Sequence, residues 1–293
     1  MSDPLISIIT PAFKAEDTIA RAAASVFAQT HARLEWIVAS DDGADYAAIL
    51  GSGDTRLRQV FTGGEGTGDW NARNVALAAA TGECVTLLDA DDEYAPNRLE
   101  AMLPLAMADG AVLDDTAMSL NGAPLASLLR DEERAEPPLA TAPLILRDRV
   151  PVFPMWRRAD IDIQWRNLPH ASDVILSLEL LSAFPAMRVA PNPGYRYLKR
   201  PGSMTMSASM LKRSRAAYLE ILRALAAGEY AIAPDVADYA LYEIAKNLNQ
   251  AAAFDRRLRD DPSLTHELLA QAFNAKPMTE AERIAFFQGD DAS

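Results

Sequence analysis

The chain has 293 residues with 49% hydrophobic and 24% charged residues, so it is long enough for one large globular domain or for one domain with an extension. It carries 28 Lys and Arg residues against 41 Asp and Glu residues, a net charge of −13, which argues against a nucleic-acid binder because such a protein needs a basic surface. Its single cysteine, Cys84, excludes an internal disulfide and a cysteine-rich zinc site.

The start of the chain predicts a strand, a helix and a second strand. Residues 5–10 form an apolar, β-branched run that a proline stops. Residues 16–18 then begin a helix, and residues 34–39 form the second strand, which leads into Asp41 and Asp42. This order predicts a right-handed crossover between parallel strands.

A glycine-rich loop, residues 63–68, precedes a predicted helix. Asn71, Arg73 and Asn74 lie at the start of that helix, which we expect to close at Gly82. Polar and cationic side chains at a helix start suit an anion. The alternative is a solvated first turn, and the loop alone is a weak signal because it does not have the Walker A pattern.

A buried strand that ends in acids is the most informative stretch. Residues 84–88 are apolar and rich in β-branched side chains, and Asp89, Asp91 and Asp92 follow directly. Carboxylates so close together repel and raise one another's pKa unless a cation lies between them. A hard divalent ion such as Mg²⁺ meets this need and typically keeps phosphate oxygens as further ligands. The alternative is a solvated acidic turn.

Three candidate segments therefore follow the ends of predicted strands. They are residues 11–13, residues 41–42 and residues 89–91. Ligands of parallel sheets bind beyond the carboxyl ends of the strands. We expect the three segments to form one site.

Three stretches together carry a family resemblance. They are residues 6–30, ISIITPAFKAEDTIARAAASVFAQT, residues 36–45, WIVASDDGAD, and residues 72–100, ARNVALAAATGECVTLLDADDEYAPNRLE. In order and spacing this combination resembles the family-2, inverting glycosyltransferases of the GT-A fold. The similarity is dense over residues 5–105 and weakens toward residue 207.

The resemblance implies an α/β fold with a mostly parallel central sheet flanked by helices. It also implies an enzyme that moves a sugar from a nucleotide-diphosphate donor, of the UDP or GDP type, to an acceptor hydroxyl. The acceptor would be a glycan or a lipid-linked acceptor, and the process would be polysaccharide or glycoconjugate synthesis.

The resemblance also assigns roles to particular residues. It implies that Asp89 and Asp91 hold Mn²⁺ or Mg²⁺ on the donor diphosphate, with Asp91 the more direct ligand. The nucleotide contacts that it implies are Pro11, Ala12, Phe13, Asp41, Asp42, Arg73, Asp89 and Ala90.

The acceptor half of the domain is expected over residues 106–207. The local predictions there are a strand at 111–113, a hairpin turn at Asn121 and Gly122, a mobile loop at 131–143 and strand-like character at 145–156. In the family a strand near this point passes under the acceptor. Trp156 and Trp165 are therefore either sugar-stacking residues or core aromatics.

Asp173 begins a leucine-rich predicted helix. From the residues alone it is an N-cap or a first-turn acid. The family has a Glu-Asp pair at this point, and its Asp is the general base, so the resemblance implies that Asp173 is the base. Ser172 replaces the family Glu, a difference that concerns the positioning of the acceptor. His170 is expected at a cap or on the surface, since no second His is near enough for a metal site.

A late loop, residues 199–205, matches a family segment that closes over the diphosphate. It implies diphosphate or acceptor contacts for Arg200 and Ser203. Seven basic residues and one acid lie between Arg196 and Arg223. This basic cluster could neutralise the diphosphate, touch an anionic membrane that holds a lipid-linked acceptor, or form the solvated face of a helix.

The end of the chain, residues 208–293, reads as helices only. We expect it to extend a GT-A domain of residues 1–207, in which residues 1–105 form the nucleotide half. The predicted helices cover residues 208–227, 235–254, 264–273 and 279–287. This extension could cover the sheet, shape the acceptor side or form a homodimer.

The sequence predicts a cytoplasmic protein, with a peripheral contact at the inner face of the membrane as a further option. Residues 1–13 lack the basic start and long apolar run of a signal peptide, and no stretch reaches the length of a transmembrane helix.

Two rival functions stay open. One is a non-catalytic nucleotide-sugar-binding protein. The other, less favoured, is a sugar nucleotidyltransferase, which would need a glycine-rich phosphate loop directly after the first strand, where this chain reads TPAFKAEDT.

Overall fold

The structure is a computed structural model that describes residues 3–147, 150–191, 194–200 and 210–260. Its strands are β1 Ile6–Ala12, β2 Leu34–Ser40, β3 Leu57–Phe61, β4 Cys84–Leu87, β5 Glu93–Tyr94, β6 Ala111–Asp114, β7 Ala117–Leu120, β8 Ala123–Ser127, β9 Met155–Arg157, β10 Arg188–Ala190 and β11 Tyr195–Lys199. Its α-helices are α1 Ile19–Phe27, α2 Tyr46–Leu50, α3 Asp69–Ala79, α4 Arg98–Asp109, α5 Asp131–Ala135, α6 Ala142–Leu146, α7 Ser172–Ala183, α8 Met210–Ala226 and α9 Pro234–Asp260.

The central sheet has the strand order β10-β6-β9-β4-β1-β2-β3. All of its strand pairs are parallel except those that β9 makes with β4 and β6. Strand β2 is buried along its whole length, as expected for a parallel strand with both faces covered, and α3 packs against β1 and β2. This mostly parallel α/β architecture confirms the predicted fold class.

The order β4-β1-β2 brings the predicted site segments together. Strand β1 pairs in parallel with β2 on one side and with β4 on the other. The carboxyl ends of these three strands therefore lie side by side at one edge of the sheet. Asp41 donates its main-chain N–H to the carbonyl of Ala12, 2.8 Å away, which joins two of the ends directly.

A second sheet has the order β5-β11-β7-β8. Its β7–β8 hairpin turns at Asn121 and Gly122, whose φ angles are 52° and 82°. Positive φ at both central residues is the signature of the turn that an Asn-Gly pair favours. The predicted hairpin is confirmed.

The strand predicted over residues 145–156 is wrong for most of its length. Ile145 lies in α6, and among the described residues of this stretch the strand begins only at Met155, in Met155–Arg157. Thr141 starts α6 instead, because its hydroxyl accepts the Leu144 N–H at 3.2 Å and a proline occupies the first turn. The loop predicted over residues 131–143 likewise contains the short helix α5.

Gly82 does not end α3, contrary to the prediction, since that helix ends at Ala79. A Cβ atom at Gly82 would lie 2.7 Å from the main-chain nitrogen of Ser7 and 2.8 Å from the carbonyl oxygen of Leu5. Glycine is therefore required at this position because the chain passes close to β1.

Helices α8 and α9 pack against each other, and their connection docks onto α7. Glu179 accepts the N–H of Ala231 at 3.1 Å, and the Ser182 hydroxyl accepts the N–H of Ala233 at 2.9 Å. Helix α9 reaches Asp260, beyond the predicted end at residue 254. The helices predicted at 264–273 and 279–287 lie outside the described residues, and the domain boundary at residue 207 stays a prediction.

Membrane-spanning segments were also predicted to be absent. In the described ranges, no helix is both long enough and apolar enough to cross a bilayer.

Candidate active site

One wall of the site is built where β1 and β2 end. Pro11 and Ala12 close β1, and the Phe13 ring that follows is 46% exposed. The Nζ of Lys14 lies 5.0 Å from the centre of that ring. An exposed aromatic face at this edge suits the stacking of a planar base.

Asp41 is buried and organises the glycine-rich loop. Its Oδ1 accepts the Thr67 N–H at 3.0 Å and the Thr62 hydroxyl at 2.8 Å, and its Oδ2 accepts the Gly68 N–H at 2.9 Å. Its main-chain oxygen accepts the Gly66 N–H at 2.7 Å. Sequence analysis missed this role. The nucleotide contact predicted for Asp41 stays a prediction, now for a carboxylate that already has several donors.

Asp42 organises the turn after β2. Its carboxylate accepts the main-chain N–H of Lys14 at 2.5 Å, the N–H of Ala44 at 3.0 Å and the hydroxyl of Tyr46 at 2.7 Å. Burial raises the pKa of Asp42, but these hydrogen bonds outweigh burial, so the pKa is lowered.

A shallow cleft of about 230 Å³ opens beside this turn. Its lining residues are Ser40, Asp42, Gly43, Phe61, Gly63, Gly64 and Glu65. The ring of Phe61 is 55% exposed there.

Arg73 and Asp89 form the centre of the site. Arg73 donates from Nη2 to Asp89 Oδ1 at 3.0 Å and from Nη1 to Asp69 Oδ2 at 2.8 Å. Burial alone would lower the pKa of Arg73, but the charges of Asp89, Asp69 and Asp173 outweigh it and raise the pKa. The buried Nε atom of Arg73 has no hydrogen-bond partner among the described residues.

The three acids after β4 have three different environments. Asp89 is mostly buried and paired with Arg73, whereas the Asp91 side chain is 38% exposed and lies 3.5 Å from Arg200. Asp92 is fully buried and accepts the Tyr195 hydroxyl at 2.9 Å and the Leu198 N–H at 2.8 Å.

The environment of Asp92 also shifts its pKa. Burial raises the pKa of Asp92 well above its usual range, and the charges of Asp91 and Asp89 add to the effect. Tyr195 also accepts the N–H of Asp89 at 3.0 Å. Asp92 and Tyr195 therefore fix the turn on which Asp89 and Asp91 stand, a role that sequence analysis missed.

The residues present fit a divalent metal at this turn. Asp91 offers an exposed carboxylate whose charged partner in the described ranges is Arg200, and Asp89 has a second carboxylate oxygen. The described residues contain no group of three or more His, Cys, Asp and Glu side chains that could hold a metal by themselves. Mg²⁺ and its relatives are commonly bound by one or two carboxylates together with substrate phosphates, so this sparse donor set is of the expected kind.

Asp173 lies close to this centre. It occupies the first turn of α7, directly after Ser172, which is buried, and its charge raises the pKa of Arg73. Its carboxylate is half-buried and accepts no hydrogen bond from the part of the chain that the structure describes. Arg73 therefore joins the predicted metal residue Asp89 and the predicted base in one charged cluster.

Trp156 is placed where it cannot serve the predicted acceptor contact. It is 1% exposed and pairs with Val85 of β4 and Ala111 of β6. Its ring lies 5.9 Å from that of Trp165, which is also buried. Both tryptophans belong to the core, which is one of the two interpretations that the sequence left open for them. Ser203 lies outside the described residues.

Comparison with solved structures confirms the GT-A fold. Staphylococcus aureus TarS 1–349 in complex with UDP-GlcNAc superposes with a TM-score of 0.63 at 22% identity, covering 82% of this chain and 71% of that one. A mannosyltransferase, PcManGT from Pyrobaculum calidifontis in complex with GDP-Man and Mn²⁺, superposes with a TM-score of 0.60 at 17% identity, covering 99% and 85%.

A family model also matches part of the sequence. Residues 7–138 match the model of Glycosyl transferase family 2, the family that the sequence resembles. The succinoglycan biosynthesis protein ExoO of Rhizobium meliloti is 30% identical over 221 residues, which are 69% of this chain and 63% of that protein.

A second relative is narrower in its overlap. The Escherichia coli UDP-Glc:alpha-D-GlcNAc-diphosphoundecaprenol beta-1,3-glucosyltransferase WfgD is 37% identical over 109 residues, which are 36% of this chain and 43% of that protein. The chain thus spans about two fifths to two thirds of the length of these curated relatives.

Proposed function

We propose that this protein is an inverting glycosyltransferase that moves a sugar from a nucleotide-diphosphate sugar to an acceptor hydroxyl. The observation that carries the proposal is the charged cluster in which Arg73 holds Asp89 while Asp173 stands nearby. A donor diphosphate needs cationic and metal-binding groups, and an attacking hydroxyl needs a base. The cluster supports both needs at the edge of the sheet where ligands of such folds bind.

The proposed step is a single displacement. The acceptor hydroxyl oxygen attacks the anomeric carbon, and the bond from that carbon to the diphosphate oxygen breaks on the opposite face. The bonding pair leaves with the nucleotide diphosphate, and the hydroxyl proton passes to the carboxylate of Asp173. Asp173 suits this role because no described residue donates a hydrogen bond to its carboxylate, which leaves its lone pairs available.

Asp91 and Asp89 are the residues that would hold Mn²⁺ or Mg²⁺. When bound, such an ion offsets the negative charge that develops on the leaving diphosphate. Arg73 supplies a fixed positive charge at the same place, and Arg200 stands beside Asp91. The nucleotide contacts proposed at the strand ends are Pro11, Ala12, Phe13, Asp41, Asp42 and Ala90.

The chemistry of the relatives guides the proposal for donor and acceptor. The two superposed structures hold UDP-GlcNAc and GDP-Man, so the fold accommodates donors of both the UDP and the GDP type. The relatives named above include a succinoglycan biosynthesis protein and a glucosyltransferase acting on a diphosphoundecaprenol-linked sugar. We propose a glycan or lipid-linked acceptor, in polysaccharide or glycoconjugate synthesis, reached from the cytoplasmic face of the membrane.

The test begins with donor binding. The unaltered protein is screened by thermal shift against UDP- and GDP-sugars with Mn²⁺, because a ligand in excess of its Kd raises the melting temperature. Release of the nucleotide diphosphate is then followed for each donor that binds. Absence of a shift and of release with every donor would overturn the proposal.

The metal assignment has its own variant. Asp91→Asn preserves the shape of the side chain but removes its charge, so calorimetry with UDP or GDP should lose the Mn²⁺-dependent part of the affinity. Asp54→Asn, a surface carboxylate paired with Arg56, is the control and should keep that part. Equal Mn²⁺-dependent affinity in the unaltered protein and in Asp91→Asn would contradict the assignment.

A further inference from the structure

Asn74 makes a paired contact with the main chain of a distant residue. Its Nδ2 donates to the carbonyl oxygen of Trp165 at 2.9 Å, and its Oδ1 accepts the N–H of Trp165 at 2.8 Å. One side-chain amide thus satisfies both main-chain groups of a buried residue. Neither the donor cluster nor the proposed base includes Asn74.

The two ends of this contact lead to the two halves of the proposed reaction. Asn74 is the neighbour of Arg73 on α3, and Arg73 donates a hydrogen bond to Asp89. Trp165 belongs to the segment of residues 161–171, which runs directly into α7 and Asp173. The Asn74–Trp165 contact therefore connects the element that binds the donor side with the segment that carries the base.

The same segment is held at other points and ends in an unusual turn. Arg166 pairs with the buried Glu179 of α7, and Pro169 accepts the Nε–H of Arg213 at 3.1 Å. Ala171, the last residue before α7, has a φ of 62°, in the left-handed region that residues with a Cβ atom rarely adopt. Such a conformation persists only where the contacts of the surrounding structure hold it in place.

We propose that Asn74 is a positioning residue for transfer, which sets the distance between the Arg73–Asp89 pair and the carboxylate of Asp173. This inference rests on the proposed function. Asn74 would act on sugar transfer through its contact with the main chain of Trp165. A misplacement of about 1 Å can lower a catalysed rate on the order of a hundredfold. Arg73 bonds to Asp69 and Asp89 and not to this segment, so we expect donor binding to survive a shift of the segment.

An amide is the group that this contact requires. It presents one donor and one acceptor to the peptide of Trp165, whereas a carboxylate presents acceptors only. Asn74→Asp has nearly the same shape but places an oxygen against the Trp165 carbonyl, so the pair breaks by repulsion. Asn74→Ala removes the amide without adding a charge.

The experiment is a kinetic cycle with Asp173→Asn, in single turnover with the donor and acceptor established for the unaltered protein. Asn74→Asp and Asn74→Ala should each lower the transfer rate at least tenfold and change the donor Kd by less than threefold. In the Asp173→Asn background the same changes should lower the residual rate less than twofold. The base is already absent in that background, so moving residue 173 costs no further base catalysis.

Gln59→Glu is the matched control. The amide of Gln59 also bonds main-chain groups in both directions, donating to Ala44 at 2.8 Å and accepting from Ala47 at 2.9 Å, but it lies on the edge strand β3. Its transfer rate should fall less than threefold.

Each other outcome overturns the inference. An additive loss in the Asp173→Asn background, an unchanged transfer rate, or a parallel fall in donor affinity would show that Asn74 does not act through the base. Loss of the folded state in both Asn74 variants, measured by thermal melting, would show a structural residue only. Absence of transfer by the unaltered protein would instead contradict the proposed function, on which the inference depends.

Discussion

Asp173→Asn is the substitution that separates catalysis from donor binding. The change removes the charge and basicity of the proposed base while preserving the shape of the side chain. Asp173 makes no hydrogen bond to Arg73, whose two bonds at 2.8 and 3.0 Å go to Asp69 and Asp89. The donor side should therefore keep its geometry.

The magnitudes follow from these contacts. General-base catalysis typically contributes a hundredfold or more, so the transfer rate should fall at least a hundredfold, about 2.7 kcal/mol of transition-state stabilisation. Arg73 keeps two acidic partners when Asp173 is neutralised, so the donor Kd should change by less than threefold, under about 1 kcal/mol. A first-turn acid also supports its helix, so a slight fall in melting temperature is expected.

The assay pairs donor calorimetry with initial rates of transfer to the true acceptor. Asp235→Asn is the matched control, because Asp235 is an exposed first-turn acid of α9 and loses the same helix support without touching the site. Transfer by Asp173→Asn at a rate near that of the unaltered protein would refute the reasoning and reduce Asp173 to a residue that merely starts a helix.

Three further changes test the packing beneath the site. Asp114→Ala should destabilise the protein by about 3–5 kcal/mol in urea unfolding, because the fully buried Arg98 guanidinium loses its charge partner. The two side chains lie 2.6 Å apart in the unaltered protein. A loss of stability below about 1 kcal/mol would contradict this prediction. Gly82→Ala should cost about 1–3 kcal/mol in the same assay, because the new Cβ would overlap the main chain of Ser7, and an unchanged stability would refute the close approach. Burial raises the pKa of Glu35, but hydrogen bonds outweigh it and the pKa falls to about 2 from 4.5, so at most about 3 kcal/mol of stability should be lost as the pH falls from 4.5 toward 2. Glu35→Gln should lack this part of the acid dependence in unfolding measured across that range, and equal slopes for the two proteins would contradict the assignment.

The strand ends and their convergence were predictable from the sequence. Apolar, β-branched runs mark β1, β2 and β4, and parallel strands bring their carboxyl ends to one edge. The resemblance added the family, which the comparisons bear out for the domain of residues 7–138. Local patterns also predicted the Asn121–Gly122 hairpin, because its turn depends on two adjacent residues.

Prediction failed where distant residues decide the environment. The residues around 141–146 took a helix because of a local cap, which the strand-like composition concealed. Trp156 was open to two interpretations because exposure is not a property of one residue, and its pairing between β4 and β6 buried it.

The acids after β4 show the same limit most clearly. Their spacing alone determined that Asp89, Asp91 and Asp92 would crowd at a strand end and would need positive charge or burial with partners. Tyr195 decided which of the three acids is buried in a structural role, because it bonds Asp92 from 103 positions along the chain. The Asn74–Trp165 pair likewise spans 91 positions. Local sequence determines elements and their ends, because these depend on neighbours along the chain. The partners that set burial and charge at the site are brought together only by tertiary packing.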